Sequence, residues 1–318
     1  AQGLLVAAAR AQEDLVLVAV GLARVHVLAG LGPDHVLPVA DPARDHRRTE
    51  ALGVVLQVLQ DRLDQLVLVG RVVDREVPGE ATQGCGAVAM LVSANPRLVE
   101  IDPEVGNYSE DVMDFWRPNY RTTALVDGKY STKIYLKSLK KAWEHFREAS
   151  SLAFNDFGHF CYHLPFGRMA QKAHQHLAKL NKAELDAEQV EAQIADTLHY
   201  NRIIGNSYSA SMYIGLTSLL ENCKHNLAGS RIGFFSYGSG CVAEFFSGKV
   251  MAGYEQFLHS EEHKQMLDAR TEVSYDQYLE LYRHPDPRDG SENEIAPVTT
   301  GRFRLAAISN HKREYIAV

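Results

Sequence analysis

Along residues 131–148, STKIYLKSLKKAWEHFRE, apolar side chains return at Ile134, Leu136, Leu139, Trp143 and Phe146. Most of them fall on one stripe of a 3.6-residue period, which predicts an amphipathic helix with Ser131 as its N-cap. A second helix is expected over 168–182. Met169, Ala173, Leu177 and Leu180 make its inner stripe, and Arg168, Lys172 and Lys179 lie on an adjacent face. A third is marked by Met212, Leu216, Leu219 and Leu220, after a start crowded with small residues from Gly205 to Ser211. HFCYH, residues 159–163, reads as a short apolar strand ending at a histidine. RIGFFSYGSGCVAEFFSGKV, residues 231–250, reads as strand, tight glycine turn and strand. GEATQGCGAVAMLVS, residues 79–93, is a glycine-rich turn running into a short strand that Pro96 ends. Residues 105–130, punctuated by Pro118 and Gly128, are expected to form a loop. Residues 181–199 are a polar run, 271–295 are polar and irregular, and 303–315 read as a closing strand and tail. Helices and strands mix throughout, so the fold class is α/β. No internal repeat or low-complexity tract is present.

Residues 1–78 follow a different pattern. They show apolar runs, a helical spacing at Leu52, Val55, Leu56, Leu59 and Leu63, and an expected buried strand in QLVLVG, residues 65–70. Their alphabet lacks Lys, Ser, Asn, Ile, Met, Phe, Tyr, Trp and Cys altogether, whereas residues 79–318 use all of these. A segment with no aromatic residue is a poor core builder. Apart from Thr49, every residue type in it belongs to codons that begin with G or C. That points to an antisense or otherwise misread stretch of a GC-rich gene; the plain alternative is a genuine Ala/Val/Leu-rich region. The chain is therefore divided into an atypical segment, 1–78, and a region of ordinary composition, 79–318.

Composition narrows the function classes. With 318 residues, 46% hydrophobic and 23% charged, the chain has material for a sizeable core. A net charge of −7 argues against a nucleic-acid binder, which needs a basic surface. LVLVAVGLA, residues 15–23, is far shorter than the ~20 apolar residues of a membrane helix, and no basic stretch precedes LLVAAA, so neither a span nor a signal peptide is expected. Cys85, Cys161, Cys223 and Cys241 are scattered, without zinc-ligand spacing, which suits a reduced, cytoplasmic protein.

Chemistry concentrates in 159–250. His163 stands at a strand end before Leu164 and Pro165, where the proline restricts the chain. Such an imidazole can hydrogen-bond a substrate carbonyl or exchange its proton; the alternative is a buried histidine satisfied by backbone. Arg168 and Lys172, one turn apart, can hold phosphates of a carrier such as coenzyme A or phosphopantetheine, or simply form a solvated face. Asn206 can aim its amide and neighbouring N–H groups at an oxygen, or serve as an N-cap. Gly238, Ser239 and Gly240 offer backbone N–H groups of the oxyanion-hole kind, or only a β-turn. His174 and His176, two apart on a helix, diverge, so no metal site is expected. Cys161 and His163 share a strand face, which permits a couple, although a core cysteine explains Cys161 as well.

Taken together, GEATQGCGAVAMLVS, the block DFWRP…LVDG…S at 114–131, FCYHLPFGRMAQKAH, YNRIIGNSYSASMYIGLTSLLEN, IGFFSYGSGCVAEFFSG and SNHKREY resemble the 3-hydroxy-3-methylglutaryl-CoA synthase family. The resemblance runs in order through nearly all of 79–318. It implies a layered, thiolase-like αβαβα fold, a homodimer, and condensation of an acetyl thioester with a β-keto thioester such as acetoacetyl-CoA. It implies no cofactor, since coenzyme A or phosphopantetheine arrives with the substrates. In such enzymes a cysteine is acetylated, a glutamate removes a methyl proton, and a histidine stabilises the keto oxygen as it becomes an alkoxide. By position His163 matches that histidine, Asn206 the asparagine that helps bind the keto thioester, and Gly238, Ser239 and Gly240 the turn lining the site. Arg168 and Lys172 stand where relatives place lysines near coenzyme A. RPNYRTTALVDGKYST leans toward the branch acting in polyketide β-branching, where acyl carrier proteins hold both substrates.

The resemblance also implies a nucleophilic cysteine upstream of GEATQG and a catalytic glutamate further upstream. No cysteine precedes Cys85, and no context around Glu13, Glu50 or Glu76 matches. No nucleophile is identified. Cys85 and Cys241 both sit at glycine turns and are not promoted to that role. The expectation is an ancestral condensing enzyme whose present chain forms no acetyl-enzyme. A thioester-binding relative without catalysis and a defective reading frame are the alternatives.

Overall fold

The computed structural model describes residues 82–121, 124–282, 289–297 and 303–317, together with the strand backbone of 16–19 and 68–69. The helical spacing over 52–63 and the rest of 65–70 lie outside the described residues. Val16–Ala19 pairs antiparallel with Ala89–Val92, the short strand expected after the glycine-rich turn.

The centre is a four-stranded sheet of β1 (Val99–Ser109), β2 (His159–Tyr162), β3 (Arg231–Gly238) and β4 (Val242–Val250). Its order is β1-β4-β3-β2; β1, β4 and β3 are antiparallel neighbours and β2 runs parallel to β3. Side chains alternate across it, as the two-residue strand period requires. Phe160, Tyr162, Phe235, Tyr237, Ala243 and Phe245 face one core, which is closed by α1 (Gly128–Ala149) and α2 (Arg168–Leu180). Cys161, Ile232, Phe234 and Val250 face the other, where α4 (Ala210–Asn222) contributes Met212, Leu219 and Leu220; a short α3 (His199–Ile204) precedes it. The result is helix, sheet, helix in three layers. Among the described residues no helix is long and apolar enough to cross a membrane.

Several expectations are corrected. The N-cap of α1 is Asp127, whose carboxylate accepts from the Tyr130 N–H at 3.1 Å, so the helix begins at Gly128 and not at Ser131. The loop expected over 105–130 contains the end of β1 and a two-residue ladder of 115–116 with 125–126. Strand β1 is an edge strand, with Glu100, Asp102, Pro103 and Glu104 masking its apolar pattern. Pro103 falls where the β1–β4 register shifts, as a residue without an N–H must. The 181–199 run holds a helix, Ala187–Ala192, capped by Asp186, and 271–295 holds a helix at Tyr275–Tyr282. Past Phe303 the chain forms a hairpin of 303–309 with 312–317 where a strand and tail were expected. Gly106 lets α1 approach the sheet: a Cβ there would lie 2.0 Å from the Ala142 carbonyl oxygen.

Candidate functional site

His163 follows the last residue of β2, and the fold holds its backbone from both sides. Its N–H donates to the Phe235 carbonyl at 2.8 Å, and its own carbonyl accepts from the buried Tyr135 hydroxyl at 2.8 Å. The ring lies 6.4 Å from that of Tyr135 and 6.1 Å from that of Tyr237. Its Nδ1 is 3.3 Å from Ser211 Oγ, and the Tyr208 carbonyl also lies against the ring. Enclosure pushes the imidazole pKa down to about 4, a fall that the bond to Tyr208 partly opposes.

The 205–211 loop is the second wall. Gly205 (φ +88°) and Tyr208 (φ +54°) turn the chain through left-handed conformations. Asn206 is bracketed by the glycine-rich segment: its N–H donates to Thr82 and its carbonyl accepts from Gly84. A Cβ at Gly84 would lie 2.0 Å from the Ile204 carbonyl oxygen, so only glycine permits this approach. Asn206 Oδ1 accepts from the Tyr208 N–H at 2.9 Å, a local turn before α4, and leaves its Nδ2 end outside that bond. Asn206 therefore is not the N-cap of α4, which begins after Ser209.

The 238–240 turn is the third wall, and a fully buried carboxylate organises it. Asp114 accepts from Tyr237 Oη at 2.7 Å, from Ser131 Oγ at 3.0 Å and from the Gly240 N–H at 3.0 Å. The Gly240 carbonyl in turn accepts from the Val112 N–H at 2.8 Å. This corrects the expectation for Gly240 alone, whose N–H is taken by Asp114. It also accounts for Ser131, which serves Asp114 and not the helix end. Burial and the Asp114 contact push the Tyr237 hydroxyl pKa up, so it stays a donor.

His163, the 205–211 loop and the neighbour of the 238–240 turn thus meet around one point. Arg168 and Lys172 stand apart, on the exposed face of α2; the Lys172 ammonium rests 5.5 Å from the centroid of the Phe166 ring. Sequence reasoning missed Tyr135, Tyr208, Tyr237, Asp114 and Ser211 as site-builders, although Asp114 opens the DFWRP block and Ser211 belongs to the small-residue cluster. The thiols offer little chemistry. Burial pushes Cys85 up to about 12 and raises Cys161 and Cys241 as well. Cys161 belongs to the core across the sheet from the His163 neighbours Tyr135 and Tyr237. His174 bonds Tyr162 Oη at 3.0 Å and Gln193 Oε1 at 2.7 Å inside the core.

Comparison with known proteins places this geometry. The model of the hydroxymethylglutaryl-coenzyme A synthase C-terminal family matches residues 99–184 and 176–300. The hydroxymethylglutaryl-CoA synthase of Enterococcus faecalis is 38% identical over 241 residues, covering 74% of this chain and 61% of that protein. The polyketide biosynthesis 3-hydroxy-3-methylglutaryl-ACP synthase PksG of Bacillus subtilis is 31% identical over 211 residues, covering 64% of this chain and 50% of that protein. Among solved structures, an HMG-CoA synthase complexed with CoA superposes with a TM-score of 0.70 at 36% identity, over 78% of this chain and 64% of that one. The HMG synthase of the curacin biosynthetic pathway, in complex with an acetyl donor-ACP, superposes with 0.69 at 28%, over 76% and 62%. The chain spans less than two thirds of each of these relatives. The fold is thiolase-like. The matched residues include His163, the 205–211 loop and the 238–240 turn, and the chain belongs to the hydroxymethylglutaryl-CoA synthase family.

Proposed function

We propose that the enzyme represented by this C-terminal region condenses an acetyl thioester with a β-keto thioester, and that His163 stabilises the keto oxygen as it becomes an alkoxide. The observation that supports this reading is the enclosure of His163 by Tyr135, Tyr237 and the 208–211 segment, with Nδ1 engaged by the fold. In a site poor in water, a hydrogen bond or proton delivered to a developing oxyanion acts at low dielectric and stabilises the transition state strongly. Asn206 and the 238–240 turn would flank the thioester, and Arg168 and Lys172 would meet the phosphates of its carrier. The carrier is coenzyme A or an acyl carrier protein's phosphopantetheine. Relatives with both partners are matched, and the higher identity to the Enterococcus faecalis enzyme favours coenzyme A over the carrier-protein branch.

The chain itself supports a narrower second reading, thioester binding without condensation. None of its described cysteines has the lowered pKa of a nucleophile. Two measurements separate the readings. Calorimetric titration with acetoacetyl-CoA, and with an acetoacetyl carrier protein, tests the cleft; Arg168→Glu with Lys172→Glu should weaken either ligand at least tenfold. Intact-mass analysis after acetyl-CoA treatment tests condensation chemistry, and a stable acetyl adduct would return the chain to the active class. No binding of either thioester would overturn both readings.

A further inference from the structure

We infer that Ser211 is a positioning residue that fixes the proton of neutral His163 on Nδ1 and leaves Nε2 as the nitrogen available to the cleft. Ser211 is fully buried at the first turn of α4. Its hydroxyl donates to the Tyr208 carbonyl at 2.7 Å, which spends its only proton. Its two lone pairs then face the Leu164 N–H, at 3.0 Å, and His163 Nδ1, at 3.3 Å. The Asn201 amide donates to the Ser211 carbonyl at 3.0 Å and pins the residue in place. Nδ1 therefore looks at an acceptor, Ser211 Oγ, whose own proton is committed to the Tyr208 carbonyl. A lone pair on Nδ1 would face the Ser211 lone pair repulsively, so that nitrogen carries the proton.

One hydroxyl ties three elements together: the end of β2 through Leu164, the 205–208 loop through Tyr208, and the imidazole itself. It does for His163 what an orienting carboxylate does for histidines in other sites, with a neutral group. If His163 acts as proposed above, the ring must first accept a proton at Nε2 and then donate from it, while Nδ1–H stays on the fold. That consequence rests on the proposed condensation; the tautomer does not.

The test needs no turnover. The full chain is labelled with 15N-histidine, and long-range 1H–15N correlations report which ring nitrogen of His163 is protonated, its signals being assigned by their loss in His163→Gln. The expected result is a protonated Nδ1 and a bare Nε2 at neutral pH. Losing one hydrogen bond of about 1 kcal/mol shifts such a ratio about fivefold, so Ser211→Ala should lower the Nδ1–H to Nε2–H ratio by that factor and Ser211→Thr should restore it. A proton on Nε2 in the wild-type chain, or an unchanged ratio in folded Ser211→Ala, would overturn the inference. Should the alanine variant fail to fold, because the Leu164 N–H loses its acceptor, the wild-type and threonine spectra still decide.

Discussion

Removing the Asp114 carboxylate tests whether the 238–240 turn is held from below. Asp114 is 0% exposed and accepts three hydrogen bonds, from Tyr237, Ser131 and the Gly240 N–H. Asp114→Ala strands three donors around a small cavity. Each buried donor left without a partner costs about 1–3 kcal/mol, but the three share one site and relax together, so about 3–5 kcal/mol is expected. Asp114→Asn is milder. Its oxygen still serves Gly240, and the two hydroxyls can rotate to accept from the new amide, so only charge assistance is lost, about 1–2 kcal/mol. Tyr237→Phe removes one partner and should cost about 1 kcal/mol, with a coupling to Asp114→Asn in a double-mutant cycle. Urea unfolding followed by the fluorescence of Trp116 and Trp143 measures all of these, since Trp143 lies in the core. The amide-exchange rate of Gly240 reports the turn locally. An alanine variant within ~0.5 kcal/mol of wild type, or an asparagine variant less stable than the alanine one, would refute the account.

Two further outcomes follow from the same packing. His163 and His174 have folded pKa values of about 4, below the ~6.5 of an unfolded histidine, because burial disfavours the charged ring. Their contribution to stability is present above pH 6.5 and is lost as the pH falls from there toward 4. Fully buried His174 should account for about 2 kcal/mol of loss by about pH 5, and partly exposed His163 for less; His174→Gln should flatten the dependence of Tm on pH, and an unchanged slope would contradict the assignment. The thiols give the second outcome. Cys85, held up to about 12, and the raised Cys161 and Cys241 should react with iodoacetamide at neutral pH far more slowly in the native chain than in urea. Native labelling of Cys85 at the unfolded rate would show that its environment is misjudged.

Periodicity alone determined much of the frame. The stripes at Ile134–Phe146, Met169–Leu177 and Met212–Leu220 became α1, α2 and α4, and the FF…FF pattern around GSG became the β3–β4 hairpin, because burial of an apolar face is a local demand written at fixed spacing. The order of motifs also made the family legible from residues 79–318, and the strand-end placement of His163 followed from HFCYH and Pro165. Short polar elements were legible only in hindsight. The 275–282 helix announces itself by Ser274 and Gln277, whose side chains bond each other's backbone N–H, but its apolar stripe is too brief to register. Strand β1 escaped because its charges suit an edge, and edge status is a property of the sheet.

Only the tertiary structure decided what surrounds the histidine. Asp114 and Tyr237 are 123 residues apart in sequence, and Ser211 and His163 are 48 apart, yet each pair is joined by a side-chain hydrogen bond. Nothing local distinguishes Ser211 from Ser207 or Ser209, or Ser131 as a partner of Asp114 from Ser131 as a helix cap. Hydrogen-bond partners are chosen by which buried donors and acceptors the packed layers bring within 3 Å or so, and that choice exists only once sheet, helices and turns are assembled.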